Sequence, residues 1–207
     1  VAVTMFADVL GVQKVLSYFS VPLTYRQCVP VKATSYILNV LNYNAGLIGM
    51  AWYVKRARSA DFWKALGALF ALNVIDLLAL CLLLLIALPL TLSDTHILPE
   101  LRFTAIAIAA GGIIGFPVLI YSVRTSANLP LISWIARKKL FEPFRFFKWN
   151  MLPTLISVRM ALLLSYLVIQ FVYLRIFGIN VPFDVLFFYF PLLTFVQIIP
   201  ISISGLG

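Results

Sequence analysis

At 207 residues, 63% hydrophobic and only 11% charged, with a mean hydropathy of +1.03, the chain carries more apolar surface than a soluble domain can hide. A formal net charge of +9 would suggest nucleic acid in a soluble protein. Here Lys and Arg gather between apolar stretches, so the expected partners are anionic membrane lipids, not nucleic acid. Lipid offers no partner to a free N–H or C=O, so spanning elements are helices or closed barrels. Unbroken apolar runs such as Leu77 to Leu90 exclude the alternation of a barrel strand. The expected fold class is all-α, a polytopic transmembrane helix bundle.

The first predicted helix runs from Val1 to about Phe19, followed by a polar connection holding Pro22, Arg26 and Pro30. A segment from Ala33 to Val54 comes next, interrupted by Asn42, Asn44, Gly46 and Gly49, and a basic loop of Lys55, Arg56 and Arg58 ends it. A long helix is expected over Phe62 to Leu90, then a loop with Asp94, His96, Pro99 and Glu100, and a span over Phe103 to Val123. Arg124 to Asn150 reads as a basic and aromatic connection, before spans at Leu152 to Ile176 and Phe183 to about Ile199. The whole chain, 1–207, is expected to be one transmembrane domain and a fragment at both ends, since it opens on Val1 and stops at Gly207 within a Pro/Ser/Gly segment.

Loop charge orients the spans, because cytoplasmic loops carry the excess of Lys and Arg. Lys55, Arg56, Arg58 and Lys64 stand against Asp61; Arg124, Arg137, Lys138, Lys139, Arg145 and Lys148 stand against Glu142. Both stretches are expected inside, and the loops 91–100 and 177–182, without Lys or Arg, outside. A single crossing by 33–54 would leave Arg26 and Lys32 outside. A re-entrant hairpin turning at Asn42 to Gly49 removes the conflict, since glycine permits tight turns and close backbone approach. A single kinked span with two misplaced charges is the alternative. The connection 124–150 mixes Trp134, Phe141, Phe144, Phe146, Phe147 and Trp149 with its cations and is expected in the headgroup plane, where Arg137, Lys138, Lys139, Arg145 and Lys148 meet lipid phosphates. An ordinary basic loop with aromatic anchors accounts for the same composition.

Two places interrupt hydrophobic segments in a similar way, Asn42 to Gly49 and Pro200 to Gly207. Broken segments expose backbone donors and acceptors at membrane depth, so Asn42, Gly46, Gly49, Pro200, Ser202, Ser204 and Gly205 are candidate substrate-binding residues; close helix packing explains the glycines alone about as well. Ionisable groups inside spans usually face a cavity or a partner. Asp76 lies near the middle of 62–90 with Asn73 on the same helix face, and Arg159 lies about two turns into 152–176. Asp76 and Arg159 are expected to line an interior polar site, as a pair; a purely structural ion pair is the competing reading. Arg175, Asp184, Asp8 and Lys14 sit nearer predicted ends and are read as interfacial anchors. No catalytic residue, cofactor or metal is expected. His96 is the only histidine, no phosphate-cradling Gly-Lys-Ser/Thr motif or zinc spacing occurs, and Cys28 and Cys81 form neither a metal-ligand spacing nor an expected disulfide.

At these residues the sequence resembles the flippase-like transmembrane region of the lysylphosphatidylglycerol synthase family. The Asn-rich turn into Ala45-Gly46 and Gly49, followed by Lys55-Arg56-Ala57-Arg58, is one place of likeness. Asn73 to Leu80 is similar to an Arg-x-x-Asp helix motif, and Pro200 to Gly207 resembles a Pro-x-x-x-Gly-Leu-Gly segment. The chain departs from the family pattern in having Ala45 for Pro, Met50 for Glu and Asn73 for Arg. The resemblance implies a bundle with re-entrant segments in a bacterial or archaeal plasma membrane that moves a modified phospholipid or lipid-linked molecule between leaflets. A membrane-embedded transferase, or its accessory subunit, acting on a lipid-linked glycan or phospholipid is the other reading. Self-association into a homo-oligomer is left open.

Overall fold

A computed structural model describes residues 2–19, 21–39, 43–58, 60–90, 99–125 and 139–198. These form eight α-helices: α1 (Ala2–Tyr18), α2 (Tyr25–Asn39), α3 (Tyr43–Arg58), α4 (Phe62–Leu90), α5 (Pro99–Thr125), α6 (Glu142–Arg145), α7 (Leu152–Ile176) and α8 (Phe183–Ile198). Single 3₁₀ turns at Lys139–Phe141 and Trp149–Met151 flank α6, and the described residues include no strand. The all-α bundle expected from composition is the observed fold.

Local chemistry sets the helix ends. Asp61 accepts the backbone N–H of Trp63 at 2.8 Å and so caps α4. Thr24 opens α2 with half of a capping box: its carbonyl accepts from Cys28, while the Gln27 side chain reaches back to accept the Thr24 N–H at 3.0 Å. That box starts the helix at Tyr25, so Arg26 and Pro30 lie inside α2 and not in a connection running to residue 30. After α7 the chain turns through Gly178 at φ +74°, and the Ile179 N–H returns to the Leu174 carbonyl.

α4, 29 residues long and apolar round its whole circumference, is the hub: α1, α3, α5, α7 and α8 all pack on it. Three stretches are long and apolar enough to cross a membrane, α4, α5 and the run Trp149–Ile176. α8, at 16 residues, spans about 24 Å, short of the roughly 30 Å hydrocarbon core, so the crossing expected over 183–199 is seen here only as a shorter apolar helix.

The segment 33–54 is neither one kinked span nor a loop. It belongs to a longer helical hairpin in which α2 and α3 run antiparallel. Near the closed end, Gly49 faces Thr34 and Leu38; toward the open end, Arg26, Gln27 and Pro30 share a cavity with Tyr53, Val54 and Ala57. Both arms are about 22–24 Å long, and their free ends meet beside the start of α4. Gly46 and Gly49 are therefore not turn residues. They sit inside α3 and let it approach α2: a Cβ at Gly46 would overlap the Asn39 amide and lie 3.1 Å from the Ser35 carbonyl. Asn42 lies outside the described residues.

Two apolar layers stack along the bundle. One joins α1, the hairpin, the first half of α4 and the end of α5; the other joins Ala79 to Leu88 of α4 with Ala105, Ala109, Leu163, Leu167 and the Leu186 to Phe190 stretch of α8. The aromatic connection is only partly interfacial. Phe144 and Phe147, expected in the headgroup plane, are 1% exposed and plug the first layer, edge-on to Phe70 and Phe116, whereas Phe146 and Trp149 are exposed. Burial of a phenyl ring removes its whole apolar area from solvent, and the Arg124 guanidinium, donating to the Phe147 carbonyl, holds this segment down.

Candidate functional site

Asp76 is the midpoint of α4, with about 21 Å of helix on either side. It sits where the two apolar layers meet, between Ile75 and Leu78 of the first and Ala79 of the second. A lone carboxylate at that depth needs partners, and Arg159, on the third turn of α7, supplies them. Its Nε and Nη2 donate to the two Asp76 oxygens in a side-on fork, the Nη2 bond measuring 2.6 Å. The expected pair is therefore present, and Asn73 borders it as its shared helix face requires.

The pair is half of a larger network. Arg159 Nη1 donates to Asp8 Oδ1 at 2.8 Å, while the other Asp8 oxygen accepts from Tyr36 at 2.7 Å and lies 3.0 Å from Lys32 Nζ. Tyr166 of α7 lines the same cavity as Tyr36. Reading Asp8 as an interfacial anchor is thus wrong: its side chain is 5% exposed and ties α1 to α2 and α7. Lys32, read only as a topology charge, belongs to the same site. Gly11 makes room, since a Cβ there would fall 2.8 Å from Arg159 Nη1 and 3.3 Å from Arg159 Cδ. Two carboxylates and two cations leave the network without net charge, the condition under which four ionised groups can share a low-dielectric interior.

A cavity of about 360 Å³ opens beside this network. Asp8, Lys32, Asp76, Arg159, Tyr166, Gln170 and Thr194 give it a polar wall, and Leu80, Leu162, Leu163 and Phe190 an apolar one. Tyr36 and Gln170 on its lining are exposed, so it is not sealed. A second void of about 40 Å³, room for a water, lies on the hairpin side among Asn39, Leu47, Met50, Asn73 and Asp76. Of the four charges, the Lys32 and Asp76 side chains are the most open, at 13% and 17%, against 3% for Arg159 and 5% for Asp8.

The other sequence candidates are not all brought here. Gly46 and Gly49 shape the hairpin wall, not the cavity surface. Pro200, Ser202, Ser204 and Gly205 lie outside the described residues, as do Arg137 and Lys138 and the side chain of Lys139. Arg145 and Lys148 are exposed near the start of α4, away from the cavity. Among the described residues no group of three or more His, Cys, Asp or Glu is placed to hold a metal ion. The signal for Asp8 was in the sequence: a carboxylate well inside an apolar helix, with a glycine three positions on, on the same face.

Long apolar helices packed round a neutral, buried ion network beside an amphipathic cavity define a polytopic integral membrane protein with an interior polar site. Comparison with known families matches residues 1–207 to the family described as lysylphosphatidylglycerol synthase TM region, and the chain belongs to it. Membership carries a membrane-associated role in lipid handling. No curated protein and no solved structure matches the chain. Of the three departures from the pattern the chain resembles, Met50 and Asn73 border the small void.

Proposed function

We propose that this bundle moves a phospholipid, or a lipid-linked molecule with a comparable headgroup, between leaflets, and that the 360 Å³ cavity is the headgroup's station at mid-depth. The observation that carries the reading is the cavity's two-faced lining. Small-molecule sites are mostly apolar with a few placed polar groups, and about 300 Å³ is where their sizes begin. Here the polar wall carries two ion pairs, and their more open members are one cation, Lys32, and one anion, Asp76. A headgroup with a phosphate and an ammonium meets both, the phosphate at Lys32 and the ammonium at Asp76. Such a zwitterion adds no net charge to a neutral site, which keeps its desolvation cost low. The short hairpin arms, both opening toward the basic end of the bundle, suit a re-entrant element that lines the path without crossing.

The test is leaflet-resolved transport of fluorescent and aminoacylated phosphatidylglycerol by the full-length protein in vesicles. Gln170→Leu and Thr194→Val change the cavity lining without touching the ion network, so the fold is expected to survive. Transport should fall about tenfold in each, the effect of one lost polar contact. Folded variants that transport as fast as the parent would refute the cavity as the path.

A further inference from the structure

A second cavity, of about 450 Å³, lies in the open mouth of the α2–α3 hairpin, separate from the central site. Its walls are Leu23, Pro30, Val31, Val54 and Ala57, and its polar side chains are Arg26, Gln27 and Tyr53. Among the described residues no carboxylate lines it. Among the described residues the Arg26 guanidinium makes no ion pair and the Tyr53 hydroxyl no hydrogen bond. The Gln27 amide is oriented by its capping role: a backbone N–H can bond only to the amide oxygen, so Oε1 is taken by Thr24 and the NH₂ is left as a donor. Three side chains therefore present donors and no acceptor other than the Tyr53 oxygen, over an apolar floor. Lys55, Arg56 and Lys64 lie exposed at this same basic end of the bundle, with the exposed Asp61 and the half-buried Glu142, which shares a pocket with Lys64.

We infer that the hairpin mouth binds an anionic phospholipid, its phosphate held by Arg26, Gln27 and Tyr53 and the start of its acyl chains laid against Leu23, Val31 and Val54. A guanidinium with a neighbouring N–H and O–H matches a phosphate's oxygens, and the apolar floor favours the lipid over a free anion. This site does not depend on the translocation reading. It is a resident-lipid site that braces the two hairpin arms at their open end.

Gln27→Glu makes a sharp test, because a glutamate still accepts the Thr24 N–H and preserves the capping box while turning a donor into an anion. Full-length protein is titrated with phosphatidylglycerol in a phosphatidylcholine nanodisc, with bound lipid counted by native mass spectrometry. Gln27→Glu and Arg26→Ala should each weaken the tightest phosphatidylglycerol by about tenfold or more, the scale of one charge-assisted hydrogen bond. Arg56→Ala, whose side chain stacks on Trp52 outside the cavity, should leave that affinity unchanged. Gln170→Leu should also leave it unchanged, which separates this site from the central cavity. Equal losses in Arg26→Ala and Arg56→Ala would mean diffuse surface attraction and overturn the site. Displacement by millimolar inorganic phosphate, lost in Gln27→Glu, would overturn the lipid in favour of a free oxyanion.

Discussion

Replacing Asp8 by Asn tests whether the interior network is held by charge balance. Asp8 accepts from Arg159 at 2.8 Å and Tyr36 at 2.7 Å and pairs with Lys32 at 3.0 Å. Asn keeps the shape and one acceptor oxygen but leaves two cations facing one carboxylate. Breaking a buried pair by removing one partner costs about 3–5 kcal/mol, and the 13% exposure of Lys32 puts the expected loss near the lower end, about 3 kcal/mol. The second half of the experiment adds Lys32→Gln. The double variant restores neutrality with hydrogen-bonding groups at both positions and should recover most of the loss, to within about 1 kcal/mol of the parent. Reversible unfolding in mixed micelles, followed by tryptophan fluorescence, gives the four free energies of the cycle. Additive losses, with the double variant less stable than either single one, would refute the argument and reduce the network to independent hydrogen bonds.

Two further outcomes follow from close approaches of helices. Gly11→Ala puts a methyl 2.8 Å from Arg159 Nη1, so the guanidinium must shift off Asp8; the same unfolding assay should show a loss of about 1–3 kcal/mol, and Asp8→Asn should cost less in that background. Gly46→Ala drives a methyl into Asn39 and to 3.1 Å from the Ser35 carbonyl, where backbone cannot yield as a flexible side chain can. Disulfide trapping between Val31→Cys and Val54→Cys, with Cys28 and Cys81 replaced by Ala, should slow several-fold as the hairpin arms spread; an unchanged rate would show that the glycine is dispensable.

Much of the fold was legible in the residues, because a membrane leaves the backbone little choice. The runs at 62–90 and 152–176 read directly as helices with the observed bounds, since every N–H and C=O in lipid must be satisfied within the segment. The charges about Arg26 and Lys32 likewise argued for a hairpin near 33–54, because a single crossing strands cations on the wrong side. The depth of Asp76 and of Arg159 pointed to an interior polar site with pairing as one form of it, since neither ionises cheaply alone in an apolar interior. The helical start at Tyr25 was also readable, in the Thr24-Tyr25-Arg26-Gln27 box, and was obscured only by the prolines that flank it.

Only tertiary structure decided which polar residues share the site. Asp8 is 68 positions from Asp76 and 151 from Arg159, and local patterning carries no information about which helix faces meet at such separations. Register between helices depends on small steric facts, a glycine at 11 that admits a guanidinium and one at 46 that admits an amide, and these acquire meaning only once the partner helix is in place. The sinking of Phe144 and Phe147 has the same origin: aromatic rings serve an interface or a core equally well, and the empty space beside Phe70 and Phe116 chose the core. Composition and hydropathy determined an all-helical membrane protein with charges to be neutralised inside it. Packing determined which charges neutralise one another and left an amphipathic cavity beside them.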